Sequence, residues 1–331
     1  MTGGWPVAMM AGMILPPTFA DIRTAHKRIA PHVHRTPILT CGAIDALVGA
    51  RLLFKCENFQ KTGAFKARGA FNAVLGLPDD VAARGVVTHS SGNHAAALAL
   101  AARSRGIPAH VVMPRTASAP KQAAVAGYGG HIIECEPTLA AREAVAAGVV
   151  ARTGGTMVPP FDSDAVVAGQ GTSAIELIED AGVELDAILC PVGGGGLLAG
   201  TAIATVALAP ATRVVGTEPL AADDAARGFH AGSLQSQLLP VATLADGLTT
   251  AMSDMTFGVM RALVSDMATV SEAAIVEAMR LIWTRMKIIV EPSSAVPLAA
   301  LLEGRWDAQG GTVGIILTGG NVDPDRLPWS P

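Results

Sequence analysis

The chain has 331 residues, which is enough for two domains of ordinary size and a large buried core. Half of the residues are apolar but only 4% are aromatic, so alanine, valine, leucine and glycine must form most of that core. The net charge of −4 is spread along the chain without a basic run, which makes nucleic acid and anionic membranes poor partners. The four cysteines are widely separated, as expected for unpaired thiols in a reducing cytoplasm.

Two uncharged stretches resemble membrane segments in length or hydropathy. Residues 1–20 contain an apolar patch from Val7 to Leu15, but no lysine or arginine precedes it, so the signal-peptide pattern is missing. We expect this tail to be disordered or to reflect an early start codon. Residues 187–212 are long enough to span a bilayer, but Pro191 and four consecutive glycines interrupt them. They predict a buried strand, a loop and a buried helix instead.

Short apolar runs typical of strands alternate with longer alanine-rich helical patterns along most of the chain. This alternation predicts βαβ crossovers and therefore an α/β fold with doubly wound, mostly parallel sheets. The predicted strands are Leu52–Lys55, Val86–His89, His110–Met113, Ile132–Cys135, Ala187–Pro191, Val214–Thr217 and Val313–Leu317. The helical patterns include His94–Ser104, Lys121–Gly127, Leu139–Ala151, Leu197–Leu208 and Ala273–Met286.

Polar or glycine-rich segments follow four of these strands. They are Ser90–His94, Gly193–Gly196, Glu218 and Thr318–Asn321. In open parallel sheets, ligands bind beyond the carboxyl ends of the strands. The four segments therefore predict one composite site.

Lys66 is one of only six lysines and lies among small residues beside the ring of Phe65. These surroundings would partly desolvate the amine, lower its pKa and favour attack on a carbonyl group. The alternative for this segment alone is a solvated lysine on a helix surface.

The loop of Gly193, Gly194, Gly195 and Gly196 lies between a predicted strand and a predicted helix. Its amide groups can converge on an anion at the helix N-terminus, where the helix dipole also favours negative charge. The loop lacks the lysine of a nucleoside-triphosphate P-loop and the spacing of a dinucleotide fingerprint, so a cofactor phosphate fits it. A tight strand-to-helix turn is the alternative.

Two further polar groups can bind small ligands. Ser90, Ser91, Asn93 and His94 supply hydroxyl, amide and imidazole groups at a predicted helix start, which suits a substrate carboxylate and exceeds what a helix cap requires. Glu218 and the pair Asp223–Asp224 follow another strand and can bind a divalent cation through carboxylates and a carbonyl. Acidic residues at a helix start are also common without metal.

Taken together, these segments resemble the serine racemase and serine/threonine dehydratase (ammonia-lyase) family of fold-type II pyridoxal-phosphate enzymes, which includes 3-hydroxyaspartate dehydratases. The resemblance extends from about Ile14 to Pro328. Its motifs are Phe54–Glu57, Gln60–Lys66, Ser90–His94, Gly193–Gly196 and Thr318–Asp323. Two positions depart from the family pattern: Ala64 stands where serine is common, and Ala95-Ala96 stand where a glutamine often occurs.

The resemblance implies a role for each matching residue. Lys66 would hold pyridoxal phosphate as a Schiff base and move the Cα proton, with Ser91 as a second acid–base on the opposite face. The remaining implied cofactor contacts are Phe65 and Asn93 at the ring, Gly193 to Gly196 at the phosphate and Thr318 at the pyridine nitrogen. Glu291 occupies a further position that the family places near the ring. Ser90, Ser91, Asn93 and His94 would bind substrate, and Glu218, the carbonyl of Ala222 and Asp224 would bind Mg²⁺, Mn²⁺ or Ca²⁺.

The resemblance also implies the architecture and the reaction. A large cofactor-binding domain would comprise residues 1–78 and 164–331, a small substrate-closing domain would comprise residues 85–163, and the active site would lie between them. We expect a cytoplasmic homodimer that dehydrates and deaminates a small β-hydroxy amino acid such as L-threonine or L-serine. A neutral Thr318 beside the ring nitrogen favours such an elimination over chemistry that needs a long-lived carbanion. The alternatives are a 3-hydroxyaspartate dehydratase, a serine racemase with side dehydratase activity, and a non-catalytic amino-acid-binding protein.

Overall fold

The computed structural model describes residues 15–329, which form two parallel sheets flanked by helices. The predicted N-terminal apolar patch lies, apart from Leu15, outside the described residues. Among residues 15–329, no helix is both long and apolar enough to cross a membrane.

The larger sheet has six strands in the spatial order β1-β2-β10-β7-β8-β9. All neighbouring strands are parallel except β1, which pairs antiparallel with β2 at the edge. These strands are β1 (Ile38–Leu39), β2 (Arg51–Cys56), β7 (Ala187–Pro191), β8 (Arg213–Pro219), β9 (Asp266–Val270) and β10 (Thr312–Leu317).

The smaller sheet has four parallel strands in the order β5-β4-β3-β6. They are β3 (Val86–His89), β4 (Ala109–Pro114), β5 (His131–Cys135) and β6 (Thr156–Met157). All four lie between residues 86 and 157, whereas the larger sheet takes strands from both sides of this segment. The division into domains at residues 78, 85 and 163 stays a prediction.

Helices cover both faces of the larger sheet, and a buried apolar cluster lies between the helices and the sheet on each side. In chain order they are α1 (Phe19–Ile29), α2 (Gly42–Val48), α3 (Lys66–Leu75), α4 (Asp79–Ala82), α5 (Asn93–Arg105), α6 (Ala119–Gly127), α7 (Leu139–Thr153), α8 (Asp164–Asp180), α9 (Gly196–Leu208), α10 (Asp224–Ala231), α11 (Asp254–Leu263), α12 (Glu272–Leu281) and α13 (Pro292–Leu302). A π-helical turn, Ile282–Met286, extends α12.

The predicted fold class is confirmed, and the seven predicted strands are all present. Residues 187–212 form β7, the glycine loop and all of α9, as predicted. The sequence reading missed β1, β6 and β9. Two of these are only two residues long, too short for an apolar pattern, and β9 contains an aspartate at its start.

Helices α3, α8 and α9 cross at glycines that allow their backbones to touch. A Cβ atom on Gly169 of α8 would lie 2.6 Å from the carbonyl oxygen of Arg68 on α3. A Cβ atom on Gly200 of α9 would lie 2.6 Å from both the amide nitrogen of Gly171 and the carbonyl oxygen of Val167 on α8. Backbone atoms cannot move aside as the end of a flexible side chain can, so these crossings fix the helix positions.

We expect the variant Gly200→Ala to lower the free energy of unfolding by about 1–3 kcal/mol, because the added methyl group overlaps backbone atoms of α8. Gly258→Ala is the matched control: it lies within α11 and its added Cβ would meet no atom within 4 Å. That control should gain about 0.5–1 kcal/mol from reduced backbone entropy in the unfolded chain. Urea unfolding of both variants measures this, and equal effects would contradict the close crossing.

Candidate active site

Lys66 is the first residue of α3, and backbone hydrogen bonds hold the residues before it. The N–H of Phe65 donates to the carbonyl of Thr318 at 2.9 Å, and the N–H of Gly320 donates to the carbonyl of Gly63 at 2.9 Å. The Nζ of Lys66 donates to the carbonyl oxygen of Pro160 at 2.7 Å and lies 5.0 Å from the centre of the Phe65 ring.

The amine of Lys66 is suited to nucleophilic attack. Burial lowers the pKa of Lys66 to about 8, although the negative charge of Glu291 acts in the opposite direction. The carbonyl of Pro160 accepts a hydrogen bond without carrying the full negative charge that would keep the amine protonated. A sizeable fraction of the amine is therefore neutral just above neutral pH, as the sequence predicted for a partly desolvated lysine.

The four-glycine loop connects the end of β7 to α9 in a space too small for side chains. A Cβ atom on Gly194 would overlap the Phe161 ring, and Cβ atoms on Gly196 and Gly193 would lie 3.0 Å from Phe161 Cβ and Leu248 Cα, respectively. Gly195 has φ = 80°, in the left-handed region. The backbone amides at the start of α9 are therefore uncovered by side chains of their own, which is the arrangement that binds phosphate.

Asn93 joins the loops of the two sheets. It is the first residue of α5, just after β3. Its Nδ2 donates to Glu291 Oε1 and Oε2 at 3.0 and 3.2 Å, and its Oδ1 accepts from Asn321 Nδ2 at 2.9 Å. These bonds fix which way the Asn93 amide faces and hold the Ser90–His94 segment beside the Thr318–Asn321 segment.

His94 is buried and neutral. Its Nε2 lies 3.0 Å from the carbonyl oxygen of Val158, which can only accept, so this nitrogen carries the proton. Its Nδ1 is buried without a hydrogen-bond partner among residues 15–329. Burial, and next the positive charge of Lys66, lowers the pKa of His94 to about 3. The ring therefore has no free donor for a carboxylate, so the predicted carboxylate contact would have to use the backbone N–H of His94.

Glu291 has more contacts than the sequence indicated. Besides Asn93, the N–H of Asn321 donates to its Oε2 at 3.2 Å. Burial raises the pKa of Glu291 to about 7. The sequence signal was a lone glutamate between Val290 and Pro292, which does not reveal three hydrogen bonds from two residues of other segments, Asn93 and Asn321.

Thr318 lies at the end of β10 in a neutral hydroxyl pair. Its Oγ1 lies 3.0 Å from the Oγ of Ser294, which also bonds the carbonyl of Gly319 at 2.7 Å. Both side chains are buried. The sequence analysis did not identify Ser294, because a serine within an apolar helix pattern predicts only a buried helix face.

Glu218 and Asp224 form a separate pair at the end of β8. Glu218 accepts hydrogen bonds from the N–H groups of Ala225 and Ala226 at 3.3 and 2.8 Å. Both oxygens of Asp224 are buried and have no partner among the described residues. Burial raises the pKa of both carboxyl groups, and for Glu218 the charge of Asp224 adds to this. Residues 15–329 contain no cluster of three or more His, Cys, Asp or Glu side chains that could hold a metal ion.

The contacts thus bring together Lys66, Asn93, Glu291 and Thr318, with Pro160 and Phe161 placing the glycine loop beside them. Ser90 and Ser91 lie in the short loop between β3 and α5 that leads to this group. Glu218 and Asp224 make none of these contacts. The individual roles of these residues stay predictions.

Three comparisons with known proteins bear on this arrangement. The chain is 52% identical over 314 residues to a beta-hydroxyaspartate dehydratase from Paracoccus denitrificans (strain Pd 1222), covering 95% of this chain and 99% of that protein. It is 48% identical over 308 residues to a serine racemase from Oryza sativa subsp. indica, covering 92% and 90%. The structure of maize serine racemase superposes with a TM-score of 0.91 at 47% identity, covering 93% and 94% of the two chains.

A family model described as pyridoxal-phosphate dependent enzyme matches residues 29–319, a span that contains every residue of the group around Lys66 except Gly320 and Asn321. The predicted family and the predicted pyridoxal-phosphate cofactor are confirmed, and the divalent cation stays a prediction. The chain belongs to the fold-type II family of pyridoxal-phosphate-dependent enzymes.

Proposed function

We propose that this enzyme removes the β-hydroxyl and amino groups of a small β-hydroxy amino acid, releasing a 2-oxo acid and ammonia, with 3-hydroxyaspartate as the preferred substrate. Serine and threonine are the alternative substrates. The observation that carries the elimination is the pairing of a base with lowered pKa, Lys66, with the neutral hydroxyl pair Thr318–Ser294. We keep the cytoplasmic homodimer as a prediction.

The residues present fit pyridoxal phosphate. Lys66 would hold it covalently, the glycine loop would bind its phosphate, Phe65 would pack against its ring, and Asn93 and Thr318 would bond its polar edge atoms. The bound cofactor supplies an electron-withdrawing ring that makes the substrate Cα–H acidic. A hydroxyl such as Thr318 does not hold a ring nitrogen protonated as a carboxylate would, which favours prompt loss of the β-hydroxyl.

The side chains then divide the remaining work. The amine of Lys66 takes the Cα proton, and this proton and the β-hydroxide leave in total as water. The backbone N–H groups at the start of α5, with Ser90, would bind the substrate α-carboxylate. After release, the unsaturated product takes up water and yields the 2-oxo acid and ammonia.

A second carboxylate on the substrate needs its own cation, and we propose Arg142 for this role. Arg142 is half-buried on α7, a helix that packs against β3. Burial, and next the charge of Arg142, lowers the pKa of His89, which directly precedes Ser90. Within residues 15–329, Arg142 takes part in no ion pair, whereas the nearby Arg115 pairs with Glu136 at 2.8 Å. This supports a dicarboxylate substrate.

Racemisation is the second candidate, because the rice and maize relatives are named serine racemases. It requires a proton donor on the ring face opposite Lys66, and the hydroxyl of Ser91 is the candidate. Chiral analysis of residual substrate, beside the keto-acid assay, separates the two activities. Interconversion of serine enantiomers that is faster than 2-oxo acid formation would favour the racemase.

We also propose that Glu218, Asp224 and the carbonyl of Ala222 bind a divalent cation. The support is the pair of buried, unpartnered oxygens of Asp224 beside a second buried carboxylate, since two such groups repel each other unless a cation or protons intervene. This cation would stabilise the fold around α10, since these residues make no contact with Lys66.

The role of Lys66 can be tested by replacing the lysine. The variant Lys66→Ala should lose turnover and the visible absorbance of bound cofactor, whereas the control Lys61→Ala should retain both. Attachment of added cofactor to the apo-enzyme should accelerate as pH rises through about 8, because the neutral amine is the attacking form. Borohydride reduction and peptide mass spectrometry should find the cofactor on Lys66, and a label on Lys55 or Lys61 would overturn the assignment.

The substrate preference can be tested by removing the charge of Arg142. Arg142→Gln should lower kcat/KM for 3-hydroxyaspartate by about 10- to 100-fold, the value of one charge-assisted carboxylate contact, and change kcat/KM for L-serine less than threefold. Arg152→Gln, at the other end of α7, is the control and should change neither. The assay measures 2-oxo acid and ammonia from L- and D-serine, threonine and the 3-hydroxyaspartate isomers. A wild type that prefers serine or threonine would sink the dicarboxylate proposal.

The proposed cation can be tested by removing it from the folded protein. A chelator should lower the melting temperature, and Mg²⁺, Mn²⁺ or Ca²⁺ should restore it by mass action on the folded state. Glu218→Gln and Asp224→Asn should remove this response. Asp223→Asn is the control, because Asp223 pairs with Arg227 at 2.8 Å instead. Variants that respond to chelator as the wild type does would leave only an acidic cluster at a helix start.

A further inference from the structure

A neutral network of four charged side chains is buried beneath Lys66. Arg68, Glu57, Lys55 and Glu176 are each at most 2% exposed. Lys55 lies on β2, Glu57 in the turn after it, Arg68 on α3 and Glu176 on α8. Two of these residues lie in the Phe54–Glu57 motif, which has no part in the proposed chemistry.

Arg68 forms two bidentate ion pairs. Its Nε and Nη2 donate to the two oxygens of Glu57 at 2.7 and 2.8 Å, and its Nη1 and Nη2 donate to the two oxygens of Glu176 at 2.7 Å each. A planar guanidinium held by two carboxylates in this way has a single orientation.

The carboxylates are themselves fixed. Glu176 also accepts from Lys55 Nζ at 2.6 Å, and Lys55 donates further to the carbonyl of Thr36 at 2.7 Å. The hydroxyl of Thr36 donates to Glu57 Oε1 at 2.6 Å. The network is therefore closed, with two cations, two anions and hydrogen bonds at every carboxylate oxygen.

Stability alone does not account for this network. Removing two ion pairs from water costs about as much as their attraction returns, and well-packed apolar side chains of similar volume are often as stable. What a bidentate, closed network adds is a defined geometry. Here it joins β2, α3 and α8 at one point.

That point is two residues from Lys66. Along a helix, two residues correspond to a rotation of about 200°, so Arg68 holds the face of α3 opposite to the one that carries Lys66. On the other side of Lys66, the Phe65 N–H is bonded to Thr318. Lys66 therefore lies between a residue fixed to β10 and a residue fixed to β2 and α8.

We propose that Arg68 is a positioning residue for Lys66: its two carboxylate partners fix the first turn of α3 and with it the direction in which the Lys66 amine points. The inference rests on the proposed function only in taking Lys66 as the cofactor lysine. A reacting amine displaced by about 1 Å loses up to about 100-fold in rate.

The test measures attachment of pyridoxal phosphate to apo-enzyme, well below the melting temperature, as the rise in visible absorbance. Arg68→Lys keeps the charge but cannot form two bidentate pairs, so the maximal attachment rate should fall by about 10- to 100-fold. The cofactor concentration for half-maximal rate should change less than threefold, because the glycine loop is intact. Arg35→Lys is the control: it changes an exposed arginine that pairs with Asp180 and Glu179 at the end of the same α8.

A purely structural role would lower the melting temperature and leave the maximal rate of the folded enzyme unchanged, and that result would overturn the proposal. If Arg68→Lys does not fold, Thr36→Val decides, since it removes one donor to Glu57 and keeps the backbone carbonyl that holds Lys55. A maximal rate lowered at least threefold supports the proposal, and a wild-type rate overturns it. Because no substrate is used, a wrong substrate assignment leaves this test intact, and a borohydride label on a lysine other than Lys66 is recognised separately.

Discussion

The proposed chemistry depends on one constraint: the amine of Lys66 must be desolvated yet lack a carboxylate partner. Burial lowers its pKa to about 8, and the carbonyl of Pro160 accepts its hydrogen bond without keeping it charged. Lys55, eleven residues earlier, shows the alternative. It is fully buried but is bonded to Glu176, so the charge of Glu176 opposes the lowering of its pKa by burial. Of these two lysines, Lys66, which has no carboxylate bonded to it, is the one suited to attack a carbonyl.

The interior therefore keeps two kinds of polar environment apart. Beneath α3, formal charges are paired and fully bonded around Arg68. At the strand ends, polar groups are neutral or weakly charged: burial keeps His94 neutral, Thr318 carries a neutral hydroxyl bonded to Ser294, and the pKa of Glu291 is raised to about 7. The fully bonded network around Arg68 holds one face of α3 in place. Lys66, the first residue of α3, can therefore face the titratable groups from a fixed backbone.

Much of this was predictable from the sequence, because strands of a parallel sheet are short, apolar and followed by their functional loops. The segments after β3, β7 and β10 were identified before their neighbours in space were known. What the sequence could not supply was pairing across distance. Nothing in the sequence pattern singled out Arg68, and Glu291 was indicated only by the family resemblance. Their partners lie from 11 to nearly 200 residues away, and no local pattern encodes such contacts.

The same reasoning explains why relatives of this chain carry different names. In the proposed mechanism, Lys66, the glycine loop and Thr318 together activate the Cα proton, a step that a dehydratase and a racemase would share. The outcome must then depend on groups outside this common set. The hydroxyl of Ser91 would return a proton from the face opposite Lys66 and so permit racemisation. The cation of Arg142 would bind a carboxylate on the β-carbon and so favour a dicarboxylate substrate. Both residues belong to the segment that carries the smaller sheet, Ser91 in the loop after β3 and Arg142 on α7, whereas Lys66, the glycine loop and Thr318 belong to segments that flank the larger sheet.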